Sequence, residues 1–272
     1  MKLSVSNIAW GKNNFSEFLS ILKNNKCDGV EIAPSLIWEE PTEISLKEIL
    51  EFKKDLNTFN LELVGFHSLL YTKPELELFK NNNLRRQTID YIFKLIKLCN
   101  DLEGKKLIFG SPKNRRLNGR TYKECFQQSI SDFREIAKFS KKYKIYFCIE
   151  PLSKNISEFI QSIKEGIEIV ESVNEEYFKL HIDTKTLFHT EENFKEIIKN
   201  KTHLVEHVHV SDDNLNPPGT INFNHEIIGN TLKKINYNKY VSIEMLTSKE
   251  SYKEEKIKVI ENSINFVKKK YF

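Results

Sequence analysis

Apolar residues recur in two alternating rhythms from one end of the chain to the other. Short runs dense in Val, Ile, Leu and Phe read as buried strands: LSVSNIAW (3–10), GVEIAP (29–34), LELVGFHS (61–68), KLIFGSP (106–112), IYFCIEP (145–151), FKLHIDT (178–184), LVEHVHVS (204–211) and YVSIEML (240–246). Several end at Pro, Ser or Gly, residues that stop a strand. Between them the apolar spacing changes to three and four, as in FSEFLSILKN, SLKEILEFKKDL and LRRQTIDYIFKLIKLC, which predicts amphipathic helices. Ser45, followed three residues later by Glu48, predicts a capping box at the start of the second helix.

Dividing 272 residues among eight strand–helix units gives 34 residues per unit. Strict alternation demands parallel strands, because each helical crossover returns the chain to the same edge of the sheet. The expected architecture is α/β: a single (β/α)8 TIM barrel over 1–272, with eight parallel strands and an active site at the C-terminal rim. An open doubly wound sheet would advertise a glycine-rich first turn. Here that turn reads AWGKNNF, and GxGxxG occurs nowhere.

A hydrophobic content of 39% suits a globular chain, and 42 basic against 38 acidic residues leave a charge of only +4. So small an excess argues against a nucleic-acid partner, which calls for a phosphate-tracking surface. Cys27, Cys99, Cys125 and Cys148 form no CxxC pair, which suits reduced thiols. The start MKLSVSNIAW is too short and polar for a signal peptide, and no apolar run is long enough to span a membrane. A soluble cytoplasmic protein with no membrane partner is expected, and a homo-oligomer is left open.

In such a barrel the chemistry sits where strands finish. Glu150, Asp183, His209 and Glu244 fall at the ends of strands five to eight, 33, 26 and 35 residues apart, each about one unit. Alone, each reads as an ordinary rim residue; in register on consecutive strands, the four read as a metal site. Three carboxylates and one imidazole suit one divalent ion, Mn²⁺ first, with Mg²⁺, Co²⁺ or Zn²⁺ as alternatives. The stretch EHVHVSDDN then makes sense. His209 is the expected ligand, while His207, one layer deeper, reads as a hydrogen-bonded core histidine. His181 stands to Asp183 in the same way. His67 ends the third strand and is expected to contact substrate. Lys113, Arg115, Arg116 and Arg120 follow the fourth strand, and Lys185 follows Asp183. Guanidinium forks suit phosphate or carboxylate oxygens; the alternative is a solvated basic loop. Glu31 and Trp10 read as packing or buried hydrogen-bonding residues near the same rim.

Together, IEP at 149–151, HIDT at 181–184, HVHVSD at 207–212 and SIEM at 242–245 resemble the xylose isomerase-like barrel superfamily. The likeness is nearest to its sugar phosphate isomerase/epimerase and ketose 3-epimerase branch. It implies one metal ion held by Glu150, Asp183, His209 and Glu244, with Glu150 and Glu244 also acting as acid and base. It implies proton transfer on a sugar through an enediolate, either isomerising or epimerising. Three positions depart from the ketose 3-epimerase pattern: Thr186 replaces a His, Leu215 an Arg and Ile156 a Glu. The expectation is therefore a metal-dependent isomerase acting on a sugar or an anionic sugar derivative. Arg115 and Arg116 would anchor the anion, with Lys113 assisting. Alternatives are a polyol dehydratase on the same metal site, a non-catalytic binding barrel, or an endonuclease IV-like DNA repair enzyme. The last would need a His on strand four and another at position 186, where Phe109-Gly110-Ser111 and Thr186 stand.

Overall fold

A computed structural model describes residues 1–12, 14–248 and 251–272. Eight parallel strands close in chain order into a barrel: β1 (Lys2–Ser6), β2 (Gly29–Ile32), β3 (Glu62–Phe66), β4 (Lys106–Phe109), β5 (Tyr146–Ile149), β6 (Phe178–Asp183), β7 (Val205–Val210) and β8 (Tyr240–Ile243). Around them run α1 (Phe15–Asn24), α2 (Leu46–Phe59), α3 (Asn82–Asp101), α4 (Tyr122–Tyr143), α5 (Ile163–Val173), α6 (Thr184–Thr190), α7 (Phe194–Ile198), α8 (His225–Lys234) and α9 (Lys253–Tyr271). The eight-unit reading holds, with two short helices sharing the sixth crossover.

Each strand is shorter than its apolar run because the last residues bend into the rim. After β1, for example, Asn7–Ala9 make a 3-10 turn whose Ile8 N–H donates to the Ser6 hydroxyl. The expected capping box opens α2: Glu48 N–H donates to Ser45 Oγ, and Ser45 N–H donates to the Glu48 carboxylate. Thr121 and Glu124 repeat it at α4. Such caps contribute about 1 kcal/mol each.

The helices bury their apolar stripes against the outside of the barrel, as α1 does with Phe18, Leu19, Ile21 and Leu22. The inside carries buried charged and polar side chains. At its lower end Lys106 Nζ reaches from β4 across to β7, 2.9 Å from Glu206 Oε1, and Lys239 Nζ lies 2.6 Å from Glu206 Oε2. A register slip between Leu180 and His181 then inserts one residue into β7. Bulges of this kind re-aim side chains. Here the slip sets His181 beside His207 and Asp183 beside His209. All four cysteines are buried and free of disulfides. No described helix is long and apolar enough to cross a membrane.

Candidate active site

The four expected ligands meet at the C-terminal rim. Asp183 and His209 are paired neighbours on β6 and β7. Glu150 and Glu244 are the first residues beyond β5 and β8, and each continues the ladder, its N–H donating to Phe109 O at 3.1 Å and Val210 O at 3.2 Å. One donor atom from each of the four lies within 4.8 Å of the others. Gly110 makes room for this: a Cβ there would lie 2.2 Å from Glu150 Oε2.

A second layer holds the first in place. Glu31 Oε2, fully buried on β2, lies 2.9 Å from His209 Nε2 and 3.2 Å from His207 Nε2. Burial alone would raise the Glu31 pKa, but the two imidazoles hold it well below the usual range. Burial opposes charge on His209, yet Glu31 and Glu244 hold its pKa well above normal. Clamped this way, His209 donates from Nε2 to Glu31 and turns Nδ1 toward the cluster, 3.2 Å from Glu244 Oε2. A carboxylate behind a ligating imidazole fixes its tautomer and raises its basicity. On the far side of Glu244, His67 Nδ1 lies 2.8 Å from Oε1, and His67 Nε2 lies 2.5 Å from Ser6 Oγ.

The donors fit a divalent ion. Asp183 Oδ2 and His209 Nδ1 are buried and, among the described residues, make no hydrogen bond of good geometry. Each is met only by an ion-pair partner, Lys185 and Glu244 respectively. Oxygen-rich ligation with one imidazole is the chemistry of such ions. The two glutamates are also pushed apart in acidity. Burial raises Glu150 to about 8; Lys185 opposes this, and the Glu244 and Asp183 charges add to it. Burial would raise Glu244 too, but His209, His67 and Lys185 hold it well below its ordinary value. One carboxyl can therefore keep a proton at neutral pH while the other is a base, the arrangement an acid–base pair needs. Asp183 and His209 are fully buried, whereas Glu150, Glu244 and Lys185 retain 7, 8 and 9% exposure, so what solvent contact the cluster has is on their side.

The remaining candidates separate. Lys185 joins the cluster, its Nζ 2.9 Å from Asp183 Oδ2. His67 has both ring nitrogens engaged and meets the cluster through Glu244. The basic loop divides: Lys113 and Arg116 are exposed, while Arg115 is fully buried and donates Nη2 to the Glu150 carbonyl at 2.8 Å. Its Nε and Nη1 have no partner among the described residues. Thr186 is spent on structure, its hydroxyl donating to Pro151 O at 2.8 Å. Leu215 is half-buried and its carbonyl accepts from Leu246 N–H; Ile156 is exposed. His207 has its expected buried partner, but His181 differs. It packs edge-on against His209, ring centroids 4.1 Å apart, and neither ring nitrogen has a hydrogen-bond partner among the described residues.

Sequence reasoning missed Gly110, Ser6 and the network behind the β7 loop. There His225 lies 2.7 Å from Asp212 Oδ1 and 2.8 Å from the Tyr271 hydroxyl, while Asp212 Oδ2 accepts from the Thr220 and Ile221 N–H groups. Asp212 directly follows the HVHVS run, and its acidic character there was the available signal.

Comparison with known proteins agrees with this fold. Over 119 residues the chain is 27% identical to a D-psicose 3-epimerase of Ruminiclostridium cellulolyticum, covering 44% of this chain and 41% of that protein. A D-psicose 3-epimerase of Agrobacterium fabrum matches to the same extent. The matched segment thus spans about two-fifths of the length of these relatives. Among solved structures, D-psicose 3-epimerase with D-tagatose from Clostridium cellulolyticum superposes with a TM-score of 0.86 at 18% identity, over 100% of this chain and 99% of that one. The IolI protein with a bound zinc atom superposes with a TM-score of 0.79 at 18% identity, over 100% and 99%. The pattern of the xylose isomerase-like TIM barrel family matches residues 11–270, and the chain belongs to that family.

Proposed function

We propose that this protein is a divalent-metal-dependent sugar isomerase or epimerase that moves a proton next to a carbonyl through an enediolate. The observation that carries the reading is the convergence of Glu150, Asp183, His209 and Glu244, with the two glutamates pushed apart in acidity. The curated relatives and several structural neighbours are sugar 3-epimerases, and one neighbour holds zinc, which supports the same reading.

All four residues would ligate the ion. When bound, it would supply Lewis-acid polarisation of the carbonyl. Glu244, ionised and oriented by His67 and His209, takes the proton from the substrate carbon. Glu150, able to hold a proton at neutral pH, returns one. Asp183 and His209 are closed to solvent and serve as fixed ligands. Lys185 contacts substrate on the open side. We assign the substrate as a sugar or its anionic derivative, with Lys113 and Arg116 on the exposed loop as anion contacts and Arg115 bracing the Glu150 backbone beneath them.

The test is solvent hydrogen exchange in D₂O with Mn²⁺, across neutral ketoses and their phosphates. Wild type should wash deuterium into the carbon next to the carbonyl, and Glu150→Gln and Glu244→Gln should not, while both stay folded. Exchange at the wild-type rate in both variants rules out the acid–base assignment.

A further inference from the structure

Lys185 brings an ammonium group into the ligand cluster itself. Its Nζ lies 2.9 Å from Asp183 Oδ2 and 4.0 Å from Glu244 Oε2, and the residue is only 9% exposed. Asp183 Oδ1 is already taken, because it accepts the Lys185 backbone N–H at 2.8 Å. Oδ2 is therefore the oxygen left for ligation, and one oxygen faces two cations.

We propose that Lys185 is a specificity-determining residue of this centre: by sharing Asp183 Oδ2 with the bound ion it weakens divalent-cation binding, and its positive charge admits an anionic ligand. The proposal rests on the reading of Glu150, Asp183, His209 and Glu244 as metal ligands. The ammonium stands 2.9 Å from the oxygen left for the ion, and like charges this close repel. A lysine that only packed would not tighten metal binding on its removal, since its loss would leave that binding unchanged or loosen it.

The experiment titrates the full chain with Mn²⁺ by calorimetry for wild type, Lys185→Met and Lys185→Arg, with circular dichroism melts as the folding control. Lys185→Met should bind Mn²⁺ tighter by about tenfold or more, while Lys185→Arg stays near wild type. With Mn²⁺ saturating, inorganic phosphate should bind wild type about tenfold more tightly than Lys185→Met. If Lys185→Met does not fold, Lys185→Gln takes its place in both titrations. Wild type that binds one ion, beside a Lys185→Met that binds it equally or more weakly, overturns the role of Lys185 and leaves the metal reading standing. Equal phosphate affinity in the two proteins overturns the anion half. Wild type that binds no Mn²⁺ overturns the metal centre and this proposal together.

Discussion

Gly110→Ala perturbs the Glu150 carboxylate and little else. The added methyl would stand 2.2 Å from Oε2 and 3.1 Å from Cδ, and side-chain carbons essentially never approach another atom closer than 3.0 Å. Subtracting 2.2 from 3.0 Å, the carboxylate must retreat by at least 0.8 Å. Gly110 does not occupy the left-handed region, so alanine meets no backbone strain there. Its smaller unfolded-state entropy is worth about 0.4–1 kcal/mol in the stabilising direction. Misplacing a reacting group by about 1 Å costs on the order of 10²-fold in rate. Gly110→Ala should therefore melt within a few degrees of wild type, yet lose about a hundredfold in deuterium wash-in. Calorimetric Mn²⁺ affinity should fall by about ten- to a hundredfold, the range seen when a metal ligand's support is removed. Wild-type Mn²⁺ affinity and wild-type exchange in folded Gly110→Ala would refute the placement of Glu150 in the centre.

Other consequences are equally specific. Glu31→Gln removes the charge behind His209 and should weaken Mn²⁺ binding about ten- to a hundredfold by calorimetry, with catalysis falling in step. Glu206→Ala leaves Lys106 buried without its carboxylate and should cost about 3–5 kcal/mol in urea unfolding. Burial would raise the Glu206 pKa, but Lys106 and Lys239 lower it below 4.5, so the wild-type advantage is full above about pH 4.5 and is lost as pH falls through the folded value. Arg116→Met should raise KM for a sugar phosphate about ten- to a hundredfold and leave the neutral sugar unchanged. Arg115→Met should impair both substrates alike, because its guanidinium holds the Glu150 carbonyl.

The barrel was legible because its two hydrophobic rhythms repeat eight times, and the four rim residues were legible because their spacing matches the unit. What was hidden depends on contacts across the barrel. Glu31 sits at the end of a strand remote in sequence from β7, and only closure of the sheet brings it under His209. Rim position said nothing about which neighbour the His67 ring would meet; closure of the barrel between β1 and β8 brings Glu244 to it. The run KNRR read as a single unit, either an anion-binding loop or a solvated surface, yet the 3-10 turn at Pro112–Arg115 folds Arg115 inward and leaves Lys113 and Arg116 outside. Composition cannot divide neighbouring arginines in that way. Gly110 carried no sequence signal, since its meaning is the space that Glu150 fills.

The central claim is that Glu150, Asp183, His209 and Glu244 hold one divalent ion. Anomalous diffraction at the manganese edge, from crystals grown with Mn²⁺, addresses it directly. The account predicts a single strong peak at the C-terminal rim, about 2.0–2.4 Å from an oxygen of each carboxylate and from His209 Nδ1. Fully folded protein with no peak there, or a peak held by other residues, would contradict it.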